Sequence, residues 1–126
     1  MQKILLVDDD QVFLKTVNDF LSSKGYKIFE AKDGEEGLKV AEEEKPDLIL
    51  LDIIMPNIGG MNFLKIRQDD EELKKIPVLV MSNLGNMNTV NESLKLGVRG
   101  YIIKSDESLK TMVSTIESII GEKQIS

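Results

Sequence analysis

The 126-residue chain contains neither cysteine nor histidine. Without cysteine, disulfides, thiolate metal sites and a cysteine nucleophile are all excluded. Without histidine there can be no imidazole general base, no imidazole metal ligand and no phosphohistidine on this chain. Positive charge is in the minority, with 16 Lys and Arg against 22 Asp and Glu and a net charge of −6. That balance argues against a nucleic-acid partner, which needs a basic face, and is compatible with a cation site. No apolar run approaches the roughly 18 residues of a membrane span. The short apolar run Ile4–Val7 meets Asp8-Asp9-Asp10 at once, unlike a signal peptide, so the expectation is an intracellular, cytoplasmic protein with no membrane partner. No Gly-rich phosphate loop follows that first run, which argues against a dinucleotide-binding fold.

What remains is ordinary for one globular domain: 41% hydrophobic and 30% charged residues, enough for one modest core over residues 1–126. The most informative stretch is Leu48-Ile49-Leu50-Leu51-Asp52, an unbroken apolar run ending in a carboxylate and bracketed by Pro46 and Pro56. It predicts a strand buried on both faces, with Asp52 at its carboxyl end. Lys3–Val7, Tyr26–Ala31, Ile76–Met81 and Val98–Ile103 predict four more strands, the second with the partly polar alternation of an edge.

Between them lie helical patterns. The first buries Phe13, Val17, Phe20 and Leu21, is capped by Asp9 or Asp10, and ends at Gly25. Asp33-Gly34-Glu35-Glu36 has capping-box spacing and opens the second, which carries Leu38 and Ala41. A loop through Gly59-Gly60 leads to a third with Phe63, Leu64 and Ile66, and residues 69–75 form a solvated charged connection. Residues 83–88 read as a loop before a fourth helix around Val90, Leu94 and Leu96. The fifth carries Leu109, Met112, Val113, Ile116, Ile119 and Ile120 and stops at Gly121, leaving 121–126 as a short polar tail. Five strands alternating with five helices predict an α/β, doubly wound (βα)5, flavodoxin-like three-layer sandwich with parallel strand order 2-1-3-4-5.

In that topology the carboxyl ends of neighbouring strands bring Asp8 and Asp9, Asp52, Ser82 and Lys104 to one rim. Each has an ordinary use when taken alone: the aspartates as helix caps, Ser82 in a turn, Lys104 on the surface, Tyr101 as a sheet residue. Their joint occurrence at successive strand ends argues for chemistry. At an effective dielectric of about 20, two like charges about 4 Å apart repel by roughly 4 kcal/mol, so such a cluster requires a cation or a proton. An all-oxygen donor set points to Mg2+ or Mn2+ rather than zinc. A carboxylate, a divalent ion, a lysine and a hydroxyl are the groups needed to move a phosphoryl group onto a carboxylate.

With Ile4-Leu5-Leu6-Val7-Asp8-Asp9, Asp47–Pro56 with Gly60, Val78–Ser82, and Gly97 with Gly100–Lys104 in that order, the sequence resembles the receiver domain of two-component response regulators across almost its whole length. Its length resembles that of single-domain, chemotaxis-regulator-like members. The resemblance implies a phosphoacceptor signalling domain, not an enzyme beyond its own phosphorylation and dephosphorylation. It implies that Asp52 takes a phosphoryl group from a partner histidine kinase or histidine phosphotransfer protein. Asp9, Asp52 and the backbone carbonyl of Ile54 would hold Mg2+ directly, and Asp8 mainly through a water. Lys104 would pair with the phosphoryl group, Ser82 would swing toward it, and Tyr101 would turn inward. That movement would remodel the face of the fourth helix, fifth strand and fifth helix for a downstream target protein. Two rivals stay open: a haloacid-dehalogenase-like phosphatase with Asp8 as nucleophile and Asp10 as acid/base, and a receiver-like binding module that takes no phosphate.

Four departures from the family pattern stand out. Ser105 follows the lysine where proline is usual; a cis bond before a non-proline costs roughly 2.5–4 kcal/mol, so a trans Lys104–Ser105 peptide is expected, and a crystal structure with that bond cis would contradict it. Asn83 replaces a small residue and is expected to narrow access to Asp52. Gly59 replaces a commonly acidic one and is expected to loosen its loop. Ile54 and Leu84 lie two residues after Asp52 and Ser82, and both are apolar. Their expected effect is to shield an acyl phosphate from water. Loss of label after kinase removal should therefore be slower in the natural chain than in a variant with polar residues at both positions.

Overall fold

Strands β3 (Leu48–Asp52) and β4 (Val78–Ser82) are buried at every position, because helices cover both faces of their sheet. The computed structural model describes residues 2–53, 59–82, 87–104 and 109–125. It places these strands with β1 (Lys3–Val7), β2 (Lys27–Ala31) and β5 (Gly100–Ile103) in one parallel sheet of order β2-β1-β3-β4-β5, as the sequence predicts. The helices are α1 (Gln11–Ser23), α2 (Gly34–Glu44), α3 (Gly60–Gln68), α4 (Met87–Leu94) and α5 (Leu109–Ile125), with a 3-10 turn at Leu73–Lys75. Strand alternation splits the core in two. Ile4, Leu6, Leu48, Leu50, Met81 and Ile102 pack against α1 and α5. Leu5, Val7, Ile49, Leu51, Val78 and Val80 pack against α2, α3 and α4. The edge strand β2 is half exposed, as its polar alternation predicts.

Asp10 caps α1, accepting hydrogen bonds from the amides of Val12 and Phe13, and Gly25 takes the left-handed conformation (φ +96°) just beyond the helix end. The buried face of α1 is Leu14, Val17 and Leu21, while Phe13 and Phe20 sit half-buried beside it. This differs from the expected face by including Leu14: offsets of 3 and 4 along 14, 17 and 21 define the centre of the stripe, and residues 13 and 20 fall on its flank. Asp33 caps α2 as expected, its carboxylate accepting from the Glu36 amide at 2.8 Å.

Four expectations are corrected. Helix α4 already includes Met87 and Asn88, which the polar stretch 83–88 assigns to a loop; the exposed Asn88 is tolerated in a first helical turn as readily as in a loop. Leu94 is 41% exposed, and Val90 is the fully buried core residue of α4. Helix α5 runs through Gly121 to Ile125. One glycine costs a helix only about 1 kcal/mol, and Glu122, Lys123 and Gln124 are good helix formers. On α3, Ile66 is 45% exposed and the neighbouring Arg67 is 3% exposed, so the charged residue is the buried one.

Arg67 is accommodated by carbonyl groups. Its Nε and Nη2 donate to the Ile76 carbonyl at 3.2 and 2.9 Å, Nη2 also donates to Lys74 O at 3.2 Å, and Nη1 to Leu96 O at 3.5 Å. Burial pushes the guanidinium below its ordinary pKa. Through these bonds α3 holds the entry to β4 and the end of the α4 segment. Hydrogen bonds to charged groups are worth about 1.5–3 kcal/mol, and orphaned buried carbonyls add to the loss. Arg67→Ala should therefore lower unfolding stability by about 2–4 kcal/mol, read from urea melts followed by circular dichroism; an unchanged midpoint would contradict the clamp.

Candidate functional site

The sheet register decides which side chains meet at its carboxyl rim. Val7 is level with Leu51, Asp52 with Met81, and Ser82 with Ile103. Asp8 and Lys104 therefore directly follow the last residues of β1 and β5, and Asp52 is the last residue of β3. They share the parity of Leu6, Leu50 and Ile102, the residues that face α1 and α5. The site continues that half of the core, with apolar side chains exchanged for charged ones. Ser82 and Tyr101 have the other parity, that of Val80, on the side of α2, α3 and α4.

Asp8 is fully buried, Asp52 is 7% exposed and Asp9 is exposed, and one carboxylate oxygen from each lies within 4.8 Å of the others. The Asp10 amide donates to Asp8 Oδ1 at 2.9 Å. The ammonium of Lys104 lies 2.6 Å from Asp8 Oδ2 and 3.4 Å from Asp52 Oδ2. Its backbone is set by a bond from its amide to the Ser82 carbonyl at 2.9 Å. Burial alone would lower the Lys104 pKa, but the pairing with Asp8 and Asp52 outweighs it and raises the value above the ordinary 10.5. Lys104 also lies over the Phe13 ring, 4.7 Å from its centroid. Periodicity alone marks Phe13 as core; its one further signal in the sequence is a position three residues after the Asp10 cap.

Gly60 sets the approach of α3 to this rim. A Cβ there would lie 2.6 Å from Ile53 Cα and 2.7 Å from Asp52 O, and the Gly60 amide donates to Ile53 O at 3.2 Å. Only glycine lets the helix start directly against the end of the strand that carries Asp52. Gly59 is the N-cap residue of α3 and supplies no side-chain cap.

The structure thus brings Asp8, Asp9, Asp52 and Lys104 together. Ser82 is buried at the adjacent strand end, and Tyr101 is 42% exposed on β5. Ile54, Asn83, Leu84 and Ser105, with the Lys104–Ser105 peptide, lie outside the described residues. The phosphatase reading is disfavoured: the Asp10 carboxylate is engaged by two helix amides and Asp8 is buried in an ion pair, so neither is presented as acid/base or nucleophile.

The raised pKa gives a signed expectation. A cation held more tightly to its proton in the folded state adds stability that is complete below pH 10.5 and is lost as pH rises through the raised value. The raised pKa of Tyr26, caused by burial and then by Glu117, acts in the same direction but is common to any Lys104 variant. The stability difference between the natural chain and Lys104→Met should stay level up to pH 10.5 and shrink above it, measured by urea unfolding at stepped pH; a difference that stays level throughout would contradict the pairing.

Comparison with known proteins agrees with this geometry. The sequence model of the response regulator receiver domain matches residues 4–116. The chain is 31% identical over 121 residues to the polar-differentiation response regulator DivK of Brucella anthropi, covering 96% of this chain and 98% of that one. Its fold is similar to the chemotaxis protein CheY4 of Vibrio cholerae, with a TM-score of 0.86, 28% identity and coverage of 94% and 98%. It is also similar to a CheY-like receiver domain protein of Methanospirillum hungatei, with a TM-score of 0.88, 26% identity and coverage of 98% and 97%. Receiver domains are signalling domains that interact with histidine kinases or phosphotransfer proteins, and they typically bind a divalent cation at an acidic pocket. The chain belongs to the response regulator receiver domain family of two-component systems.

Proposed function

We propose that Asp52 is the phosphoacceptor of this receiver domain, that Asp8 and Asp9 complete a Mg2+ site beside it, and that Lys104 and Ser82 receive the phosphoryl group. The observation that carries the proposal is the Lys104 ammonium, 2.6 Å from Asp8 and 3.4 Å from Asp52, at the rim where three carboxylates lie within 4.8 Å of one another. The donor set is all oxygen, which suits Mg2+ and also Mn2+. Asp8 Oδ2 is buried and, its ion pair apart, accepts no well-aligned hydrogen bond among the described residues, so it keeps a lone pair for an ion or its water. When bound, the ion supplies positive charge to the carboxylates and to the phosphoryl oxygens.

In the reaction one oxygen of Asp52 attacks phosphorus, a carboxylate O–P bond forms, and the bond from phosphorus to the donor's imidazole nitrogen breaks. No side chain of this domain has to accept a proton, which fits a chain without histidine. Lys104 can pass from Asp8 to the new phosphoryl oxygens by a small swing, because it already stands between the two carboxylates. Catalysis is then positioning and charge compensation, and the domain acts only on its own Asp52.

A phosphoryl group adds roughly −1.5 to −2 charges and new acceptor oxygens at the rim. Ser82 can donate to them, and it shares a sheet face with Tyr101, which stands outward here. Inward rotation of Tyr101 would alter the α4–β5–α5 surface, where a downstream target protein would bind. The acidic composition gives no footing for nucleic acid, and no helix among the described residues is long and apolar enough to cross a membrane. We place this signalling in the cytoplasm.

Incubation with Mg2+ and acetyl phosphate should add about 80 Da to the intact mass of the natural chain and nothing to Asp52→Asn. Equal phosphorylation of both would refute the assignment. No phosphorylation of the natural chain by acetyl phosphate or by a kinase would favour the binding-module reading.

A further inference from the structure

Lys104 and three residues around it form a closed circuit. The Asp10 amide donates to Asp8 Oδ1 at 2.9 Å, Asp10 Oδ1 accepts from the Phe13 amide at 3.1 Å, the Phe13 ring lies 4.7 Å from Lys104 Nζ, and Lys104 Nζ lies 2.6 Å from Asp8 Oδ2. One aspartate is thus tied to the first turn of α1, and that turn carries the ring that faces the lysine. We infer that Phe13 is a positioning residue for the phosphoryl-transfer reaction, holding the Lys104 ammonium in the direction of Asp8 and Asp52. The inference rests on the phosphoacceptor reading of Asp52.

The physical need is plain. A lysine ammonium is a compact, strongly hydrated charge on a flexible four-carbon stem, and nothing in its covalent structure fixes its direction. Here it follows the last residue of β5 and is followed by Ser105, where the family usually has the stiffer proline. The carboxylates attract it from one side. An aromatic face attracts a cation through its quadrupole and keeps water from the other side. Phe13 is half-buried on the flank of α1, so its ring is held by core packing while one part reaches the rim. An aliphatic residue of similar volume would keep that packing and lose the attraction. The half-buried place of Phe13, beside rather than on the central stripe of α1, is what leaves its ring available to Lys104.

Two readouts test this in the whole chain. The first is the NMR signal of the Lys104 ε-methylene, identified by its loss in Lys104→Met, which a ring at this distance shifts upfield. The second is the rate of phosphorylation by acetyl phosphate with Mg2+, in which Asp52 displaces acetate from phosphorus. Phe13→Leu should abolish the upfield shift and slow phosphorylation about fivefold at saturating donor, whereas Phe13→Tyr should keep both within about twofold of the natural chain. Slowing by both variants alike would mean that Phe13 serves packing alone, and it would overturn the proposal. So would a Phe13→Leu chain phosphorylated at the natural rate, whether or not the shift is lost. A natural chain that takes no phosphate while its Lys104 shift is intact overturns the phosphoacceptor reading itself and the positioning role with it.

Discussion

The Lys104 ammonium between Asp8 and Asp52 is the contact that makes the carboxyl rim tolerable. Asp8 is fully buried and Asp52 nearly so, and an uncompensated carboxylate in such a place is costly. Like charges about 4 Å apart add roughly 4 kcal/mol of repulsion at an effective dielectric of about 20. A single cation answers both costs. Its pKa rises despite burial, which shows the carboxylates outweighing desolvation. The same charge that stabilises the cluster stands where a phosphoryl group on Asp52 would need a partner, so the resting fold and the proposed chemistry use one residue.

Everything else delivers those groups to one rim. Parallel pairing puts the carboxyl ends of β1, β3 and β5 on the same side, and the register keeps them level. Period-two alternation then extends the α1/α5 half of the core by one more step into Asp8, Asp52 and Lys104, while Ser82 and Tyr101 fall on the opposite face. Gly60 lets α3 close against the strand end, and Arg67 holds the segments that lead into β4 and away from α4. The site is the outcome of strand geometry rather than of a separately folded loop.

The strands were readable because buried parallel strands are continuous apolar runs, as in Leu48–Leu51 and Val78–Met81, and their order follows from alternation with helices and right-handed crossovers. Asp8, Asp9, Asp52 and Lys104 were readable as a group for the same reason, since each stands just past a run. What escaped has a common cause. Arg67 is charged and sits next to Ile66, the residue that periodicity puts on the apolar face; the carbonyls that satisfy its guanidinium, of Lys74, Ile76 and Leu96, lie beyond the helix and leave no mark in its pattern. Phe13 is apolar, so periodicity placed it in the core without disclosing that its ring faces a cation from another strand end. The extension of α5 past Gly121 reflects a small local penalty overridden by good helix formers on its far side.

Lys104 is the resident counter-charge of an acidic cluster suited to a divalent ion. Calorimetric titration of Mg2+ into the natural chain and into Lys104→Met at low ionic strength reads that competition. Loss of the ammonium leaves the three carboxylates with a stronger negative field, so the variant should bind Mg2+ more tightly. Binding that is unchanged, or weaker, in Lys104→Met would contradict the account.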